Sequence, residues 1–293
     1  IAVAVAAIPE GLVISLTVIL AIGMQKILKK KALIRKLVSA ETLGSVSVIC
    51  TDKTGTLTEG KMRLTRLITA RDDLNFEEIN VLKMEERERH LDSYLALRIG
   101  VLANDGLLQN PEVSEKNWKL IGDTTDTGLI FAGMKAGLQK HSLEEVFPRV
   151  DEIPFDSDNK FMATLHHLDG DSEIYVKGAS DVLFDKCKFY EEDGVQKKLS
   201  EKKLEWFKNQ EKELTGKGLR VLALAYKKEG GGIKNIEVED INDLILVGII
   251  ALSDPLRSDV KSTIKLAQGA GIKIVMITGD HKRTAQSIGK ELG

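Results

Sequence analysis

The chain has 293 residues, 43% of them apolar and 29% charged, enough to bury at least one full core and to form two domains, which argues against a disordered tail. Its 42 basic and 44 acidic side chains give a formal charge of −2 and no basic footprint, which argues against nucleic acid as a partner. Cys50 and Cys187 lie far apart with neither metal-ligand spacing nor a disulfide framework, as in a reducing compartment, so the soluble part is expected in the cytosol.

Residues 1 to 25 are almost wholly apolar. Twenty-five helical residues reach roughly 37 Å, enough to cross a hydrocarbon layer of about 30 Å. The charge follows this stretch, in "KILKKKALIRK" with six basic residues, whereas a signal peptide carries its charge in front. The order predicts a membrane helix over 1–28 with the basic end, and everything after it, on the cytoplasmic side. A buried core helix is the plainer alternative. Inside "VAAIPEGL" the ring of Pro9 deprives the Val5 carbonyl of its helical partner and disturbs Ala6. Exposed carbonyls and the carboxylate of Glu10 are both costly in hydrocarbon, and together they form a set of hard oxygen ligands suited to calcium. The competing reading is a proline kink beside an incidental Glu.

Next, "SVSVICTDKTGTLT" reads as a short buried strand ending at Asp52 and entering a loop. The segments "LILVGIIAL", "SDVKSTIKLAQGAG" and "IKIVMITGD" near the other end read as strand, amphipathic helix and strand, a βαβ unit and therefore a parallel sheet. Parallel sheets bind ligands at the carboxyl ends of their strands, where Asp52, Thr278, Gly279 and Asp280 fall. A carboxylate nucleophile attacking a phosphoryl group needs donors for the equatorial oxygens, which Lys53, a Thr hydroxyl and a Gly amide supply. Alone, a "TGD" is an ordinary turn. Residues 62–244 between the two halves far exceed a normal connection and must form a domain of their own. In it "FMATLHHL", "EIYVKGA" and "LRVLALAY" read as strands of an antiparallel sheet, "SEKKLEWFKNQEKEL" as a helix, and "HSLEEVFPRVDE" as surface. There is no GxxxxGK and no GxGxxG, so any nucleotide is held without a P-loop or a dinucleotide fingerprint.

"DKTGTLT" around Asp52, with "VAAIPEGL", "KGA" at Lys177, "DPLR" at Asp254 and "TGD" at Thr278, resembles the P-type cation-transporting ATPases over essentially the whole chain, in that family's order and spacing. The resemblance implies a haloacid-dehalogenase-like parallel α/β sheet split by an inserted α+β nucleotide-binding domain and preceded by one transmembrane helix. The implied boundaries are 1–28 for the membrane helix, 29–61 for the stalk and first part of the phosphorylation domain, 62–244 for the nucleotide-binding domain and 245–293 for the second part. It further implies ATP-driven transport of a cation, calcium first, with Asp52 forming an aspartyl-phosphate, Lys53 steadying the loop, and Thr278, Gly279 and Asp280 contacting phosphates. Magnesium would be held by the Thr54 main-chain carbonyl, and the transported cation by the carbonyls of Val5, Ala6 and Ile8 with Glu10. ATP would be met by Phe155 stacking on adenine, by Lys160, Lys177 with Gly178, Asp126 and Arg220, and by the hinge-side pair Asp254 and Arg257. Leu256 and Val13 stand where prolines are usual, and Asp126 where Glu is usual.

Without the resemblance, Phe155 reads as core and Lys177 as a solvated strand end. A soluble haloacid-dehalogenase-type phosphatase is the rival enzyme. It would carry an Asp two places after the nucleophile, where Thr54 stands. A non-catalytic ATP-binding module is the rival of another class. The chain reads as a fragment, with the actuator domain and a "GDGxND" magnesium motif expected outside it, so that this piece alone binds ATP weakly and transports nothing. Its place would be an integral-membrane protein with cytoplasmic catalytic domains. The compact insert points to a prokaryotic plasma membrane, and the lack of a Cys-Pro-Cys motif argues against copper or cadmium, with sodium, proton, manganese or magnesium as the other cations.

Overall fold

The computed structural model describes residues 10–81, 89–114, 117–168, 170–279 and 282–293. In chain order the elements are α1 (Glu10–Lys29), α2 (Leu37–Gly44), β1 (Val48–Asp52), β2 (Arg63–Thr69), β3 (Asp73–Asn75), α3 (Phe76–Val81), α4 (Leu91–Leu102), β4 (Leu107–Leu108), β5 (Leu120–Ile121), α5 (Thr124–Lys135), α6 (Lys140–Val146) and β6 (Arg149–Ile153). There follow β7 (Phe161–Leu168), β8 (Asp171–Ala179), α7 (Ser180–Lys186), β9 (Cys187–Glu192), β10 (Val195–Lys198), α8 (Glu201–Gly216), β11 (Arg220–Glu229), β12 (Leu244–Ser253), α9 (Val260–Gly269), β13 (Lys273–Ile277) and α10 (Lys282–Leu292). The chain divides into two units, one holding the residues up to Thr51 with Lys261–Ile277, the other Asp52–Val260 with Thr278–Gly293.

In the larger unit nine strands form one sheet in the order β10-β9-β12-β11-β8-β7-β6, with β2 and β3 joined to it through β12. Every pairing is antiparallel except β9 with β12. The antiparallel strands and the helix expected in the insert are all present as β7, β8, β11 and α8. Ser200 caps α8 by accepting the Lys203 N–H, and Phe207 and Leu214, seven residues apart, are its buried face. The run 141–152 forms α6 and the sheet-edge strand β6, largely half-buried to exposed.

Alternate residues of the central strands feed two cores, one on each face. Leu224, Tyr226, Val247, Ile250 and Leu252 pack under α4 and α5, whereas Ala223, Ala225, Leu246, Ile249 and Ala251 pack under α7 and α8. The parity of β12 changes at Gly248, where a bulge against β11 lies between Leu224 and Ala225.

The order strand, helix, strand expected at residues 244–277 is present, but β12 and β13 lie in different sheets. β12 pairs with β11 along one edge and with β9 and then β2 along the other, whereas β13 pairs with β1. Residues Leu244–Leu252 are buried throughout, so this strand needs neighbours on both edges and cover on both faces, and the nine-stranded sheet supplies them.

In the smaller unit, the Lys273 N–H donates to the Ser47 carbonyl at 2.9 Å and joins β1 and β13 at their starts, so the two strands run in the same direction. β1, read from its β-branched run as buried, is instead largely exposed, with Val48 at 47% and Ile49 at 39%. Burying a strand takes sheet neighbours on both edges and cover on its faces, and this sheet has two strands. α1 exposes Leu12, Ile14, Val18 and Ile19 around its circumference. Among the described residues no helix is long and apolar enough to cross a membrane.

Candidate functional site

Asp52 ends β1 and caps the tight turn Lys53–Leu57, its carboxylate accepting the Lys53 N–H at 2.7 Å. Inside the turn Thr54 is extended (φ −75°, ψ 123°) and Gly55 left-handed (φ 73°), so the Thr54 carbonyl points away from the direction the turn's helical residues impose. The loop is then stitched down by residues 254–257. Asp254 accepts from the Thr58 hydroxyl at 2.5 Å and from the N–H groups of Gly60 and Lys61 at 2.9 and 3.1 Å. Arg257 donates through its side chain to the carbonyls of Thr58 and Gly55 at 3.1 and 2.8 Å, and through its backbone N–H to Leu57 at 3.0 Å. Thr58, fully buried at the end of "DKTGTLT", is a bracing side chain that the sequence does not reveal.

These contacts make Asp254 a brace of the loop that follows Asp52. Asp254→Ala removes the acceptor of three donors, of which the Thr58 hydroxyl keeps the Lys53 carbonyl at 3.1 Å and the exposed Lys61 N–H can turn to water, so a loss of about 1–2 kcal/mol is expected. A urea-unfolding midpoint equal to that of the unmodified chain would contradict the bracing role.

A cleft of about 670 Å³ in the larger unit is lined by Lys53, Thr54, Asp254, Thr124, Lys217 and Arg220, with Ser287 and Glu291 of α10 also on its wall. The first turn of α5 forms one side. Asp123 caps this helix, accepting the Thr125 N–H at 2.8 Å, and Arg220 donates to the Thr125 hydroxyl at 2.7 Å. Burial pushes the Asp123 carboxyl up, but the Thr125 donors and the Arg220 charge outweigh it and hold it below the usual carboxylate range. One residue further on, Asp126 forms an ion pair with Lys177. Lys177 is buried, which pulls its ammonium below the ordinary lysine range despite the neighbouring carboxylate. The other Asp126 oxygen accepts the Asp105 N–H at 3.1 Å.

Gly178 earns its place through packing: a Cβ there would stand 2.5 Å from Phe161 Cβ and 2.8 Å from the Lys160 carbonyl oxygen, so the close backbone approach is that of β7. Lys160 sits in the left-handed region (φ 57°), with its N–H on the Asp156 carbonyl and its own carbonyl accepting from Ala179. Phe155 is 63% exposed, so it is not a core residue. Thr278 and Gly279 follow β13 directly, beyond the strand that runs alongside β1. Val5, Ala6, Ile8 and Asp280 lie outside the described residues, as does the side chain of Glu10. The structure thus gathers Lys53, Thr54, Arg220 and Asp254 around one cleft and pairs Asp126 with Lys177, while Phe155 and Lys160 sit on the loop before β7.

The chain is 42% identical to the calcium-transporting ATPase lmo0841 of Listeria monocytogenes and 41% identical to calcium-transporting ATPase 1 of Lactococcus lactis, in each case over all of this chain and 32% of the relative. It is 36% identical to the cation-transporting ATPase pma1 of Synechocystis, over all of this chain and 33% of that protein. The chain therefore spans about a third of the length of the curated relatives it matches. A family model described as the P-type ATPase cytoplasmic domain N matches residues 93–259, more than half of the chain and most of the nine-stranded sheet. On that match, and on the fold it covers, this chain belongs to the P-type cation-transporting ATPases.

Proposed function

We propose that this chain is the catalytic part of an ATP-driven cation pump, with calcium as the transported ion, working through an aspartyl-phosphate on Asp52. The observation that carries the reading is that Lys53 and Thr54, directly after Asp52, share one cleft with Thr124 and Arg220 of the nucleotide-binding insert. In this scheme a carboxylate oxygen of Asp52 bonds to the γ-phosphorus of ATP while the bond from that phosphorus to the β,γ-bridging oxygen breaks and ADP leaves. Lys53 and Arg220 offset phosphate charge, and Thr278 and Gly279 donate to the transferring group. Phe155, exposed as a free aromatic face, stacks on the adenine, with Lys160, Lys177 and Asp126 around it.

Magnesium fits the donor set. The Asp52 carboxylate and the Thr54 carbonyl, which is released from the helical direction, are hard oxygens, and this ion takes one or two protein oxygens and completes its shell with phosphates and water. When bound, it supplies neutralisation of phosphate charge. The paired strands β1 and β13, running the same way, are the part of a haloacid-dehalogenase-like sheet that this reading requires. α1, apolar around its circumference, ending at Lys29 and followed by Lys30 and Lys31, belongs to a membrane helix whose Pro-interrupted start, with Val5, Ala6, Ile8 and Glu10, holds the cation, and the catalytic units then face the cytoplasm of a prokaryote. Calcium is favoured because the relatives from Listeria and Lactococcus carry that name. A phosphatase of the same sheet type is disfavoured by Thr54, which leaves the position two after Asp52 without the acid/base that speeds hydrolysis.

The test uses the full-length protein that contains this chain, in membranes, incubated briefly with γ-labelled ATP and magnesium. Acid-stable, hydroxylamine-labile label is expected only when calcium is present. Label without calcium keeps the pump and removes calcium as its ion; no label removes the mechanism.

A further inference from the structure

Asp126 is held by more than its ion pair. Residues 104–106, between α4 and β4, are lodged against the first turn of α5 by a set of hydrogen bonds. The side-chain amide of Asn104, fully buried, donates to the Gly100 carbonyl at 3.0 Å and to the carbonyl of Asp126 itself at 3.1 Å. Its Oδ1 accepts the Gly106 N–H at 2.6 Å. From the other side the Lys140 ammonium donates to the carbonyls of Asn104 and Gly106 at 2.6 and 3.2 Å. Gly106 has no room for a side chain, since a Cβ would meet Asn104 Oδ1 at 2.8 Å and the Asp126 carbonyl carbon at 3.2 Å. Arg149 grips Asp105 from outside at 3.1 Å. The outcome of this bracing is one donor, the Asp105 N–H, aimed at Asp126 Oδ2.

With one oxygen on the Asp105 N–H and the other on Lys177, the Asp126 carboxylate is fixed in orientation and keeps lone pairs for a further donor. An acceptor held in this way selects for a ligand that presents an N–H and penalises one that presents a carbonyl. On the reading that this insert binds a purine nucleotide, we infer that Asn104 and Lys140 are positioning residues that orient Asp126 and so make the site prefer a 6-amino over a 6-oxo purine. Neither residue touches the nucleotide; both act through the 104–106 loop.

Titration calorimetry of the unmodified chain with ATP and with inosine triphosphate, which carries a 6-carbonyl and an N1–H where ATP carries a 6-amino group and a bare N1, is the measurement. The unmodified chain is expected to bind ATP about tenfold more tightly, the worth of one oriented hydrogen bond. Asn104→Ala and Lys140→Met are expected to bring the two affinities within about twofold, chiefly by weakening ATP, while Lys140→Arg keeps the preference because it keeps a donor. A preference unchanged in folded Asn104→Ala and Lys140→Met overturns the inference, as does an unmodified chain that binds the two nucleotides equally. Should Asn104→Ala fail to fold, the Lys140 pair decides alone. No binding of either nucleotide to the unmodified chain removes the nucleotide reading itself, a result distinct from a preference that the variants leave intact.

Discussion

Asp52→Asn in the full-length protein is expected to remove phosphoenzyme formation altogether, a loss of more than about 10⁴-fold, on the scale seen when an enzyme's nucleophile is deleted. An amide oxygen carries no full negative charge, and its attack on phosphorus would leave an unstable imidate, so the covalent step has no route. The fold is not expected to suffer. Asp52 is exposed, and the Lys53 N–H that its carboxylate accepts can be accepted equally by the Asn Oδ1. ATP affinity should be kept or raised, because one negative charge facing the phosphates is removed. Quenched-flow labelling of the variant, beside equilibrium nucleotide binding, separates these effects. Label surviving in Asp52→Asn at more than a few per cent of the unmodified level places the phosphate on another residue. Loss of label together with loss of binding means the loop had a structural task that its hydrogen bonds do not explain.

What the amino-acid pattern can reveal of such a site depends on how local the determinants are. Strands β7, β8 and β11 are legible as short apolar runs bounded by Gly and Asp turn residues, and α8 because its apolar residues recur on one face behind a Ser cap. β12 was legible as a buried strand but not as a member of the large sheet: nine consecutive buried residues carry no alternation, hence no statement of which neighbours cover them. The same silence explains β1, whose β-branched run reads as buried although its two-stranded sheet leaves it exposed. Among the site residues, Asp52, Lys53 and Thr54 are contiguous and announce themselves. Asn104 does not. Its hydrogen bond to Asp126 spans 22 positions and the Lys140 bond to its carbonyl spans 36, and no spacing rule connects residues that far apart. Thr58 was within the quoted motif, yet its partner Asp254 is 196 residues away, so its bracing task becomes visible only when the two segments are seen together.

The pair Asp126 and Lys177 yields the largest stability effect expected in the larger unit. Asp126→Leu leaves the Lys177 ammonium buried without its counter-charge, and removing one partner of such a pair costs about 3–5 kcal/mol. The loss has a ceiling, because the lysine can escape by giving up its proton. That escape costs about 1.4 kcal/mol for each pH unit below the unfolded value near 10.4, so about 5 kcal/mol at pH 7 and about 1 kcal/mol at pH 9.5. The folded Lys177 already lies below its ordinary range, so the unfolded chain binds the extra proton, and stability rises with pH through the window from the folded value up to the unfolded one. Asp126→Leu deepens that depression and widens the window downward. Its destabilisation relative to the unmodified chain should therefore shrink markedly between pH 7 and pH 9.5. Lys177→Met added to Asp126→Leu removes the buried charge and should recover most of the loss at pH 7, since an apolar pair of similar volume replaces a buried ion pair at little net cost. The double variant should nonetheless bind ATP poorly, because both groups assigned to the nucleotide are gone. Urea titrations of the three proteins at the two pH values read all of this. A destabilisation by Asp126→Leu that is the same at both pH values would mean that Lys177 reaches water on its own, and its low exposure would then belong to the ion-paired state alone.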